Sequence, residues 1–184
     1  LVYRLVEAPA MAMLTPMLVD RQWSLTQIGL LMSVAGASVG LLAAVAAARL
    51  LLRQRAATLL LRAGWLRSLA YLAVAGLLLS GLADGSPLWL GAMVLVLLAI
   101  RYLAMTSLYA LFMQLCSRQQ AGTDFTVLVC FELLVFFVGG SLSGFLAKGL
   151  GYETYYLLLG ALSVLSVLLC KPIVRSIQAG SGNH

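Results

Sequence analysis

The chain has 184 residues, of which 62% are hydrophobic and 10% are charged, where soluble domains carry about 25% charged residues. A water-soluble core has no room for that much leucine, and apolar runs long enough to cross a bilayer recur along the whole length. The formal charge of +6 does not point to nucleic acid, because the basic residues sit in short links between the apolar runs, where they orient a chain in the bilayer. The composition predicts a polytopic, all-α membrane protein.

Six spans are predicted: Leu1 to Val19, Leu25 to Ala48, Ala57 to Leu82, Leu88 to Cys116, Phe125 to Ala147 and Thr154 to Cys170. The links "DRQWS", "RLLLRQR", "ADGSP", "SRQQAGTD" and "KGLGYE" are short, so consecutive helices are antiparallel neighbours in one bundle covering residues 1–175. The tail, 176–184, is polar and Gly/Ser-rich and is expected to be disordered. Leu1 reads as mid-helix, with no charged leader or cleavage site before the first run, and further chain is expected upstream.

The first span carries Glu7, Pro9, Thr15 and Pro16. Each proline frees a carbonyl, so the helix is expected to kink or break, as helices lining transport cavities do. Arg4 and Glu7 stand at i, i+3 and either pair with each other or leave Glu7 facing a cavity as a protonatable carboxylate. The second span offers Gly36 and Gly40 and the fifth Gly140 and Gly144, two Gly-x-x-x-Gly spacings that let helix backbones approach closely. The third and sixth spans are nearly featureless and read as lipid-facing. Arg67 in the third is expected to snorkel to the surface beside Arg62, and Tyr152, Tyr155 and Tyr156 to form an interfacial aromatic cluster.

The fourth span holds Arg101 roughly 20–25 Å from either end at 1.5 Å per residue. A cation at that depth costs about 3 kcal/mol or more and faces a partner or a wet cavity. It is either a structural cation paired inside the bundle or a binder of solute or counter-ion. Tyr102, Thr106 and Tyr109 share its helix. Glu132 lies roughly 12 Å into the fifth span and is either a proton carrier or a seal against a neighbouring unit. Thr123 or Asp124 is expected to cap the start of that span. Cys116, Cys130 and Cys170 form no CxxC and read as apolar packing. His184 is the only histidine, which leaves no His-based metal site, triad or relay, and with no HExxH or paired aspartates the sequence does not read as an enzyme.

Lys and Arg set the orientation. Arg49, Arg53, Arg55, Arg62, Arg118, Lys171 and Arg175 lie at one end of the predicted bundle, and Arg21 and Lys148 at the other. The first set is therefore expected in the cytoplasm, with both ends of the chain. By position, polar and broken helices come first in each triplet, small-residue helices second and apolar helices third. That is the pattern of two inverted three-helix repeats.

The stretches "YRLVEAPAMAMLTPMLVD", "SLTQIGLLMSVAGASVGLLAA" and "LYALFMQLCSRQQAGTDFTVLVCFELLVFFVGGSLSGFLAKGLGY" carry a resemblance. The turn with Gly122, Thr123, Asp124 and Thr126 is its most specific piece. The chain resembles the C-terminal six-helix half of a major facilitator superfamily transporter. It is similar above all to the branch with the muropeptide permeases, the acetyl-coenzyme-A transporter-like proteins and the RhtX/FptX-type siderophore permeases. The resemblance implies a bacterial inner-membrane permease that imports a bulky organic solute by proton-coupled alternating access. A siderophore is the first choice of solute, and a muropeptide or acyl-CoA-type compound the alternative; outside the resemblance, the residues leave open a non-transporting six-helix membrane subunit or channel. The resemblance implies a cavity lined by the first and fourth spans, with Arg101, Tyr102, Thr106, Tyr109 and Thr15 toward substrate and Glu7 and Glu132 in proton coupling. Gly36, Gly40, Gly140 and Gly144 would face a missing N-terminal six-helix half. No cofactor is implied. The second link departs from the superfamily pattern: "RLLLRQRAAT" has basic residues only, without the Gly and Asp often found there.

Overall fold

The computed structural model describes residues 2–80, 87–117 and 119–180. Leu1, Leu82, Arg118, His184 and residues 83–86 of the third link lie outside them. The described residues form helices throughout: α1 (Val2–Ala12), α2 (Leu14–Asp20), α3 (Leu25–Gly29), a π-helical turn (Leu30–Ala35), α4 (Gly36–Leu51), α5 (Ala56–Leu79), α6 (Pro87–Leu115), α7 (Ala121–Leu150) and α8 (Tyr152–Gly180). Among the described residues, four stretches are long and apolar enough to cross a membrane: Leu25–Leu51, Leu88–Leu115, Ala121–Gly144 and Tyr152–Lys171.

Local sequence explains where the helices begin and end. Pro16 has no N–H to offer the carbonyl of Ala12 and its ring crowds that carbonyl, and the first predicted span is interrupted at Met13, between α1 and α2. Ser24 opens α3 through a capping box, its hydroxyl accepting from the Gln27 N–H while the Gln27 side chain accepts from the Ser24 N–H. Gly151 follows α7 with φ +74°, the left-handed conformation that ends helices on glycine. Asp124 sits in the first turn of α7 and accepts from the Ser117 N–H at 2.9 Å, so it closes the α6–α7 turn rather than capping its own helix. The last helix runs to Gly180, so residues 176–180, expected in a disordered tail, are helical.

The largest core cluster joins α1 and α2 (Val6, Leu14, Met17, Leu18), α5 (Tyr71, Val74), α6 (Leu90, Val94) and α8 (Tyr155, Tyr156). Outside it, α7 packs along α1 and α4 along α6. The outer faces of α5 and α8 expose apolar side chains such as Leu66, Leu69, Leu162 and Leu165, but the two helices are not featureless, because they form the most extensive seam in the bundle. Its small residues serve close approach: a Cβ added at Gly160 would lie 2.9 Å from Leu72 Cδ2. Arg67 is not a snorkelling residue either. It is buried in that seam, where its Nε donates to Ser163 Oγ at 3.0 Å and its Nη2 to Ser166 Oγ at 3.2 Å. Serines one turn apart on α8 give the guanidinium neutral acceptors, which water would otherwise supply.

The tyrosines are likewise corrected. Tyr155 and Tyr156 are fully buried and donate to the carbonyls of Pro9 (2.9 Å) and Ala10 (3.3 Å). Those carbonyls lie in the last turn of α1, just before the break at Met13, and that of Pro9 also accepts from the Met13 N–H at 3.3 Å. Tyr152 donates to the Asp20 carboxylate at the end of α2. The broken helix is thus pinned along its length by one face of α8.

Candidate functional site

Arg4 and Glu7 lie one turn apart on α1, so both side chains leave the same face, the one packed against α7. Glu132 and Phe136 stand one turn apart on α7, and Arg101 and Tyr109 lie on α6. The three helices bring these side chains together. Arg4 Nη1 is 2.9 Å from Glu7 Oε1, and its Nε pairs with Glu132 Oε1. Glu7 Oε1 also receives Arg101 Nε at 3.5 Å. Tyr109 donates weakly to Glu132 Oε2, at 3.4 Å. Both guanidinium carbons lie over the ring of Phe136, Arg4 at 4.8 Å and Arg101 at 5.6 Å from its centroid, a cation–π arrangement of moderate strength.

The result is an alternating line, Arg101–Glu7–Arg4–Glu132–Tyr109, running across three helices. With both carboxylates ionised its charges sum to zero, which is the condition under which four ionic groups survive burial. The line is uneven. The Arg4, Glu7 and Glu132 side chains are 3%, 1% and 0% exposed, whereas Arg101 is 28% exposed and makes the longest contact. Arg101 therefore forms the open end. Glu7 carries a further asymmetry: its Oε2 is buried and has no hydrogen-bond partner among the described residues.

Of the residues singled out in the sequence, Arg101, Tyr109, Glu7 and Glu132 come together here. Tyr102 turns toward α4, where its ring occupies the space over Gly40: an added Cβ would lie 2.7 Å from the ring. Thr106 donates to the Tyr102 carbonyl on its own helix. Thr15 is exposed on α2, beyond the break at Met13, and is not part of the line. The glycines divide. Gly36 and Gly40 are used inside the bundle, against Leu98 and Tyr102 of α6, and Gly140 faces Ala12 at an ordinary 3.8 Å. Gly144 has open space around it. The tight α1–α7 approach falls on Gly139, where a Cβ would meet Ala8 Cβ at 3.2 Å.

Sequence reading missed two members, Arg4 as the hub and Phe136. The i, i+3 spacing of Arg4 and Glu7 gave the local half of the hub, and Phe136 follows Glu132 at i+4. The contact from Arg4 to Glu132 joins helices far apart in the chain and has no local signal. Among the described residues no group of three or more His, Cys, Asp or Glu side chains could hold a metal ion. A separate groove of 870 Å³ lies between the α2–α3 turn and the start of α6, lined in part by Asp20, Trp23, Gln27, Leu31 and Leu95. It does not include the charged line. No protein-family model matches the chain.

Proposed function

We propose that this chain is the C-terminal half of a secondary active transporter of the major facilitator type, importing a bulky organic solute by proton-coupled alternating access. Arg101 binds an anionic group of the solute, and the buried carboxylates of Glu7 and Glu132 serve the proton. A siderophore is the favoured solute class, and a muropeptide or acyl-CoA-type compound the alternative. The chain crosses the bacterial inner membrane six times, as two inverted triplets, with both ends cytoplasmic.

The observation that carries this reading is the buried, charge-balanced line on α1, α6 and α7 with a partly exposed arginine at its open end. Ionisable groups inside apolar helices are costly and mark ion or solute pathways. The pattern of helix pairing supports the two triplets. The first segment of one (α1) packs on the second of the other (α7), the first of the other (α6) packs on α4, and the third helices, α5 and α8, pack on each other. Each pairing maps onto another when the triplets are exchanged. The interrupted α1–α2 helix adds a discontinuous segment beside the site, a recurring feature of transporter cavities.

The test is uptake of labelled ferric siderophore by cells expressing the full-length protein, alongside its abundance in the membrane. Arg101→Ala is expected to leave abundance near wild type and cut uptake at least tenfold, roughly 1.4 kcal/mol or more. Arg101→Lys is expected to fail nearly as badly, because a point-charge ammonium does not replace a planar fork of donors. Normal uptake by Arg101→Ala at normal abundance would remove Arg101 from the binding site. Joint loss of uptake and protein would make it a structural cation.

A further inference from the structure

We infer that Glu7, and not Glu132, is the carboxylate that exchanges a proton, and that it does so one-for-one with an anion bound at Arg101. The inference rests on the transport reading above for its purpose, but its chemistry comes from the line itself. Glu132 has both oxygens engaged, Oε1 by Arg4 and Oε2 by Tyr109. Glu7 places a single oxygen, Oε1, between the two arginines and leaves Oε2 buried without a hydrogen-bond partner among the described residues. A buried, unpartnered carboxylate oxygen is an unfilled acceptor. The proton goes there.

Charge balance couples the proton to the anion. The line is neutral with two arginines and two carboxylates. An anion on Arg101 brings the total to −1, and a net charge in a dry site is costly. One proton from water, forming an O–H bond at Glu7 Oε2, returns the total to zero. Protonation also weakens the hold of Glu7 on Arg101, already the longest pair at 3.5 Å, and so frees the guanidinium for the incoming group. Arg4 stays on Glu132 throughout and fixes α1 to α7. It is a positioning residue.

Among the described residues, few groups face Glu7. Its own helix supplies Arg4, α6 supplies Arg101, and α7 supplies Glu132 through Arg4, with Tyr109 behind it. On α8, Tyr155 and Tyr156 are committed to backbone carbonyls of α1. These groups define the ligand class: a solute presenting one anionic group of carboxylate type, which a guanidinium takes through two parallel hydrogen bonds.

The experiment is infrared difference spectroscopy on the purified full-length protein, following the carbonyl stretch of a protonated carboxyl group, with benzoate as the probe anion. In the wild type the band is expected to grow as benzoate is added, with one proton taken up per benzoate bound. Glu7→Gln is expected to lose the band while still binding benzoate, now without proton uptake. Tyr109→Phe removes the donor on Glu132 without changing the charge of the line, and is expected to leave the band at its wild-type frequency. Arg101→Ala is expected to show the band without any benzoate, because removing the cation leaves one carboxylate uncompensated. The Tyr109→Phe arm keeps the test decisive should Glu7→Gln fail to assemble, because it tells the two carboxyl groups apart without touching Glu7. A benzoate-dependent band that survives in Glu7→Gln, shifts in frequency in Tyr109→Phe, or never appears in the wild type would overturn the inference. Uptake is measured separately, so a protein that shows the band pattern yet transports no siderophore, muropeptide or acyl-CoA-type compound would refute the transport reading and leave the assignment of Glu7 standing.

Discussion

At the scale of single residues, the bundle meets three sets of buried polar groups by different routes. Arg67 is met by serine hydroxyls, Arg4 by two carboxylates, and the carbonyls of Pro9 and Ala10 by tyrosine hydroxyls. The last of these is open to a clean test, since Tyr→Phe removes one oxygen and little volume. Tyr155→Phe is expected to destabilise the purified protein by about 0.5–1.5 kcal/mol, the net worth of one hydrogen bond, since the Pro9 carbonyl keeps the Met13 N–H. Tyr156→Phe should cost less, because its bond is longer, 3.3 Å against 2.9 Å. Thermal unfolding in detergent measures both. Equal melting temperatures for Tyr155→Phe and wild type would mean that the bond to Pro9 contributes nothing. These tyrosines also show why residue roles were only partly legible. Three tyrosines at the start of a predicted span look the same in sequence whether they meet headgroups or reach a carbonyl on another helix. Arg101 was legible because depth alone makes a lone cation conspicuous. Its partner Glu7 was visible only as half of a local pair.

At the scale of elements, the small-residue spacings mark places where a neighbour can come close without naming the neighbour. A Gly-x-x-x-Gly spacing says that a backbone can approach, not which helix approaches it. Gly36 and Gly40 receive side chains of α6, and on α7 the neighbouring residue, Gly139, takes the closest approach. The π-helical turn Leu30–Ala35 explains part of this on the second predicted span. It holds an extra residue within the helix and rotates the turns after it, so register counted at 3.6 residues per turn drifts before Gly36. No residue pattern in "LLMSVA" announces it. The α1–α7 seam can be tested directly. The neighbours of a Cβ at Gly139 are Ala8 Cβ at 3.2 Å and Leu5 O and Pro9 Cδ at 3.5 Å, atoms tied to the backbone of α1 that cannot swing aside. Gly139→Ala is therefore expected to cost about 1–3 kcal/mol through overpacking. It also separates Arg4 from Glu132 in the turns just beside it. Gly140→Ala, with its nearest atom at 3.8 Å, should stay within about 0.5 kcal/mol of wild type, as unstrained substitutions do. Melting temperatures of the two variants decide the matter, and a Gly140→Ala loss equal to that of Gly139→Ala would misplace the seam.

At the scale of the whole molecule, the contacts between helix ends fix which ends lie together. Trp23, just before α3, packs where a Cβ on Gly91 would meet its ring at 3.1 Å, so α3 and α6 begin at the same end of the bundle. Tyr152, opening α8, reaches Asp20 at that end too. At the opposite end Lys171 lies 5.9 Å above the ring of Trp65, and Arg62 donates to Gln54 across the α4–α5 turn. If α3–α4 and α6 both start at the Asp20 end, the chain must return between them, and among the described residues α5 is the helix that lies there. Its 24 residues make roughly 36 Å of helix at 1.5 Å per residue, enough to cross despite Arg62 and Arg67. Arg49, Arg53, Arg55, Arg62 and Lys171 then belong to the far end, the cytoplasmic one in the proposed topology. Single cysteines at Gln54 and Gln119, in a background without the three natural ones, are expected to react with a membrane-impermeant maleimide only after the cytoplasmic face is opened. Cysteines at Gln22 and Gly151 are expected to react in intact spheroplasts. Labelling of Gln54 and Gln22 from the same side would mean that the chain does not cross between them, and the two inverted triplets would be lost with that crossing. Reaction of Gln119 from outside would keep the crossings but invert the bundle, and the open end of the charged line would have to be reassigned to the other half of the transport cycle.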